Sequence, residues 1–125
     1  MTHGRSAVVG VMVLRIAYGA ALIAAPERVA RRWLGPDAGC PPAQVPLRAL
    51  GMREVLLHAG GLATAVRGGD VRPWLAASIA GDLTDIVVTL AGRDGLPPDA
   101  ATATAAVAGG SVVVSAAAGA FHRPS

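Results

Sequence analysis

Apolar residues dominate four long stretches of this chain, separated by connections that carry its Gly, Pro and charged residues. The stretches run from about Ser6 to Ala25, Leu47 to Val66, Trp74 to Gly92 and Ala100 to Phe121. Each is close to the ~20 residues an α-helix needs to cross a ~30 Å hydrocarbon layer. The last contains no ionisable residue, the simplest hydropathy signature of a span. Pro26 marks the end of the first stretch, Arg67 to Pro73 links the second to the third, and Gly92 to Asp99 links the third to the fourth. Links this short make neighbouring helices antiparallel. The expected fold class is therefore all-α, an up-down bundle of four transmembrane helices forming one domain over residues 1–125.

The first connection is longer and patterned. Between Glu27 and Leu34, Arg28, Arg31 and Arg32 share one arc of a helical wheel, with Val29, Trp33 and Leu34 tending to the other side. That predicts a short amphipathic helix lying at headgroup level, with Trp33 at the interface. A cleavable signal peptide is disfavoured, because Arg15 interrupts the first stretch and the apolar run exceeds the usual ~7–15 residues.

Composition points the same way. Apolar residues make up 53% and charged residues only 15%, against roughly 25% charged in soluble domains. The mean hydropathy is +0.51. Only Tyr18, Trp33, Trp74 and Phe121 are aromatic, so the hydrophobicity comes from small aliphatic side chains. Such residues suit close helix packing in a bilayer better than a water-excluding core. The expected localisation is the cell membrane, multi-pass, with the lipid bilayer as the first partner.

All eleven basic residues are Arg, giving a net charge of +3. They are scattered, with no basic stripe and no interleaved aromatics, so no nucleic acid is expected as a partner. Near the ends of the stretches, Arg5, Arg67, Arg72 and Arg123 fall on one face and Arg28, Arg31, Arg32, Arg48 and Arg93 on the other. That balance leaves the orientation open. Cys40 is a lone cysteine in a Pro-rich loop.

The chemistry lies in the residues that interrupt the apolar stretches: Arg15, Arg53, Glu54, His58, Asp82 and Asp85. A charge in an apolar setting is costly unless paired or used. At ~1.5 Å rise per residue, three antiparallel helices bring all six to similar depth. Glu54 and His58 are four apart and Asp82 and Asp85 three apart, so each pair shares a helix face. Arg53 is expected to contact Asp85 or the counterpart of Glu54 on the third helix, with Asp82 facing the same interior. None of Arg53, Glu54, Asp82 and Asp85 is expected to face lipid. Three carboxylates against two arginines imply that one carboxyl keeps a proton, as a general acid requires.

Two uses fit this constellation. In the first, Arg53, Arg15, His58 and Arg48 bind a hydrophobic small molecule or a subunit partner, a homo-oligomer included. In the second, Asp82, Asp85 and Glu54 are the acid and base of an intramembrane enzyme, an isomerase, cyclase or epoxide-opening catalyst acting on a lipid-soluble substrate. Buried ion pairs can also serve only to fix helix register. One His without a Glu-x-x-His repeat argues against a metal. No phosphate loop, Cys-x-x-Cys or nucleophile elbow is present, so no cofactor is expected.

The segments Arg48-Ala-Leu-Gly-Met-Arg-Glu54 and Arg72-Pro-Trp-Leu-Ala-Ala-Ser-Ile-Ala-Gly-Asp-Leu-Thr-Asp85, with Ala59-Gly-Gly-Leu62 and Trp33-Leu-Gly-Pro36, carry a resemblance. The chain resembles small actinobacterial four-helix membrane proteins grouped as a domain of unknown function. Their Arg, Gly-x-Arg-Asp/Glu and Asp-x-x-Asp pattern corresponds here to Arg48, Arg53, Glu54, Asp82 and Asp85. The resemblance implies a fold class and supplies no activity.

Overall fold

The computed structural model describes residues 3–121. It is all-helical, with no strand among the described residues. Helix α1 runs His3–Ala24 and α2 Pro26–Leu34, followed by a 3-10 segment over Gly35–Gly39. Helix α3 runs Pro41–Val66, α4 Arg72–Ala91 and, after a 3-10 turn at Arg93–Gly95, α5 Ala100–Phe121. The expected bounds hold to within a few residues, except that α3 begins six residues before Leu47. Pro41 and Pro42 occupy its first turn, where the N–H groups have no helical partner to lose, and Pro46 lies inside it.

Three helices are long and apolar enough to cross a membrane: His3–Ala24, Arg72–Ala91 and Ala100–Ala120. Helix α3, with 26 residues, is long enough. Arg53, Glu54 and His58 in its middle lower its hydropathy, so the fourth span is not shown by length and composition.

The inward-facing residues repeat in alternate steps of three and four. They are Val8, Met12, Arg15, Gly19 and Leu22 on α1, and Leu47, Gly51, Glu54, His58, Gly61 and Ala65 on α3. Leu75, Ser78, Asp82, Asp85 and Thr89 follow the same steps on α4, and Ala108, Ser111, Ser115 and Ala118 on α5. This is the spacing of left-handed helix bundles. The residues filling it are unusual. The buried polar and charged side chains are Glu54, His58, Ser78, Asp82, Thr89 and Ser115, while Leu14, Val45 and Val113 point outward at 72%, 72% and 67% exposure. Polar inside and apolar outside suits a surrounding of lipid.

Two apolar clusters lie at the ends of the bundle. Val8, Met12, Val71, Leu75 and Ala118 form one; Leu22, Ala30, Ala38 and Leu47 form the other, where α2 folds back on the bundle. A polar layer separates them. Helix α1 packs most extensively on α3 and α4 on α5, whereas α3 and α4 touch only thinly although a tight turn joins them. That turn is a Schellman cap: Gly68 sits at φ 75°, its N–H bonding to Ala65 O and that of Gly69 to Thr64 O.

Close approach of α1 and α3 rests on two glycines. A Cβ on Gly19 would lie 2.6 Å from the carbonyl oxygen of Gly51, and one on Gly51 equally close to that of Gly19. Two arginines clamp the ends of this antiparallel pair. Arg5 donates to Ala65 O and Val66 O at the C-terminus of α3, and Arg48 donates to Ile23 O at the C-terminus of α1. Cations are favoured at both ends by the helix dipole.

The amphipathic α2 forms as expected. Its Trp33 does more than mark an interface, since the indole Nε1–H donates to the buried Thr89 hydroxyl at 2.9 Å and ties α2 to α4. Trp33→Phe is expected to lower stability by about 1 kcal/mol, measured by thermal unfolding in detergent. Adding Thr89→Val to Trp33→Phe should then cost little more, because the shared bond is already gone.

Candidate functional site

The polar layer is organised by Arg15. The crossing at Gly19 and Gly51 brings the α1 and α3 backbones together, and Arg15 lies one turn along α1 from Gly19. Its guanidinium therefore meets Glu54, one turn along α3 from Gly51. Nε and Nη2 donate to the two Glu54 oxygens at 2.9 and 3.1 Å, and Nη1 and Nη2 donate to the two Asp82 oxygens at 3.0 and 2.8 Å. The three side chains are 12%, 6% and 5% exposed. One planar fork thus holds two buried carboxylates from different helices, an arrangement lysine could not reproduce.

His58 sits behind Glu54 and is fully enclosed. Its Nδ1 lies 2.7 Å from Glu54 O and its Nε2 2.9 Å from Ser78 Oγ. Nδ1 next to a carbonyl donates to it and also lies 3.4 Å from Glu54 Oε2, while Nε2 shares a hydrogen bond with the Ser78 hydroxyl whose direction follows the protonation of the ring. With both nitrogens occupied, His58 joins α3 to α4 across their thin contact. Among the described residues no group of three His, Cys, Asp or Glu could hold a metal ion.

A cavity of about 490 Å³ opens beside the network. Its polar floor is Arg15, Glu54, Asp82 and Asp85; its walls are mostly apolar, from Leu22 and Leu50 to Ala108, with Tyr18, Thr104 and Ser111 interspersed and the exposed Leu14 and Val107 at its outer rim. The α2 side contributes Val29, Arg32 and Trp33. Apolar walls with a few convergent polar groups are what small-molecule sites present. Asp85 is half-buried and makes no hydrogen bond or ion pair among the described residues.

The sequence reading puts Arg53 in contact with Asp85 or the counterpart of Glu54 on the third helix, and away from lipid. Arg53 is exposed, makes no ion pair within 4 Å among the described residues, and lies against Gly81 at the α3–α4 seam. The reason is rotational. Consecutive helical residues diverge by ~100°, so Arg53 cannot face inward where its neighbour Glu54 does. Arg53 instead borders a smaller cavity of about 240 Å³ with Ser78 and Gly81. Arg48 lies away from the cluster, at the end of α1. The structure gathers Arg15, Glu54, His58, Asp82 and Asp85, and adds Ser78, Tyr18 and Trp33, which sequence reasoning missed. Ser78 could have been found from its spacing, since it precedes Asp82 by four on the same face. In comparisons with known proteins, no family model, curated protein or solved structure matches the chain.

Proposed function

We propose that the chain is a multi-pass protein of the cell membrane, with α1, α3, α4 and α5 spanning and α2 at the headgroup level, that binds a hydrophobic small molecule. One observation carries this reading: a mostly apolar cavity of about 490 Å³ ends on a buried carboxylate–guanidinium–carboxylate network. Register alone would be served by ion pairs with side chains packed tightly over them. An open space beside them lets a ligand present a polar group to the floor and its hydrocarbon to the walls. Full-length protein purified in nonionic detergent should carry a bound hydrophobic molecule, detected by mass spectrometry of its organic extract. Ala103→Phe, which enlarges a lining side chain, should lose it. A wild-type extract indistinguishable from that of the variant contradicts the reading.

A second reading keeps the site and adds chemistry: an acid/base enzyme opening or isomerising a lipid-soluble substrate. The observation favouring it is Asp85, a cavity-lining carboxyl without a partner beside two that Arg15 holds. Asp85 would move the proton, and Arg15 would fix Glu54 and Asp82 around the reacting group. Conversion of the bound molecule that stops in Asp85→Asn, with binding kept, separates enzyme from binder.

A further inference from the structure

We propose that the occupant of this cavity is a lipophilic cation, a long-chain primary amine in chemical class, whose ammonium group is received by Asp85. The inference rests on the cavity being a ligand site and adds the sign of the ligand's charge.

Arg15 is poorly placed to receive an anion, because four of its five N–H groups already donate to Glu54 and Asp82. Each of those carboxylates has both oxygens engaged by it. The network therefore carries one positive and two negative charges and has one guanidinium N–H to spare. Asp85 adds a third carboxyl to the same lining, one turn from Asp82 along α4.

The cations facing Asp85 from neighbouring helices are Arg15 and Arg53, and neither pairs with it within 4 Å. Arg53 is drawn to the α3–α4 seam beside Gly81. Within the lining, Arg15 is committed to Glu54 and Asp82, which leaves Asp85 as the carboxyl with no partner within 4 Å among the described residues. In surroundings of low dielectric an unpaired carboxylate is expensive. A single ammonium group bonded to Asp85 supplies the partner it lacks, and Tyr18 and Thr104 offer oxygens to its remaining N–H groups. The apolar walls then cover the hydrocarbon chain.

The test titrates full-length detergent-solubilised protein with dodecylamine, dodecanol and dodecanoic acid at equal mole fraction in the micelle. Thermal unfolding and the fluorescence of Trp33, which lines the cavity, are the readouts. Dodecylamine should bind at least tenfold more tightly than dodecanol. Asp85→Asn should abolish that preference while dodecanol binding is kept, and Asp85→Glu, which keeps the charge, should restore it. Equal binding of amine and alcohol overturns the proposal by showing a protonated Asp85, and preference for the acid overturns it outright. If none of the three perturbs either readout in the wild type, the cavity reading itself fails.

Discussion

Replacing Arg15 by Met is expected to be the most damaging single change in the molecule. It strands Glu54 and Asp82, 6% and 5% exposed, without the guanidinium that holds both. Removing one partner of a buried ion pair costs about 3–5 kcal/mol, because the remaining charge stays buried and uncompensated. Here two charges are left. Thermal unfolding in detergent should show a large loss, and expression should fall. Neutralising the stranded groups with Glu54→Gln and Asp82→Asn in the Arg15→Met background should recover much of it, since a neutral amide is less costly to bury than a carboxylate. Arg53→Met, by contrast, should not destabilise the bundle, because that side chain is exposed, unpaired within 4 Å among the described residues, and costly to hold within a bilayer. Equal effects at positions 15 and 53 would mean that the network is not organised as described.

The second large effect is expected at the α1–α3 crossing. Gly51→Val places a Cβ 2.6 Å from a backbone carbonyl and 2.9 Å from Leu22 Cβ, where no flexible side-chain end can give way. Overpacking costs about 1–3 kcal/mol where neighbours can shift, and more where backbone is the obstacle. The helices must separate, and Glu54 then moves away from Arg15, so packing and pairing fail together. Gly10→Ala and Gly110→Ala are the controls: a Cβ there meets nothing within 4 Å, and helix propensity favours Ala. Unfolding midpoints should fall sharply for Gly51→Val and hold or rise for the controls.

The long helices were legible in the sequence because apolar runs broken by Pro and Gly leave few other readings. The amphipathic α2 was legible because Arg28, Arg31 and Arg32 repeat on one arc. The convergence of charge at one depth followed from counting residues along antiparallel helices, and Arg15, Glu54 and Asp82 do meet. Facing was not legible in the same way. When a helix is apolar all round, hydrophobic periodicity cannot distinguish inside from outside, and the inner stripe is marked by its polar and small members instead. Reading Glu54, His58, Ser78, Asp82 and Asp85 as that stripe would have turned Arg53 outward. Nor could sixteen glycines disclose which two form the crossing, because the contact joins residues 32 positions apart in the chain. Helix α3 starts before Leu47 because Pro41 and Pro42 form its first turn and Pro46 is accommodated within it.

The proposed site requires the outer surface of the bundle to meet lipid while the polar layer stays inside. Leu14, Leu56, Val87, Val107 and Val113, each at least 63% exposed, form that surface. Fractionation of cells expressing the full-length chain tests the claim most directly. The expected result is recovery with the membrane pellet, resistance to alkaline carbonate extraction, and release by detergent alone. Recovery as a monodisperse protein in the detergent-free soluble fraction would contradict it.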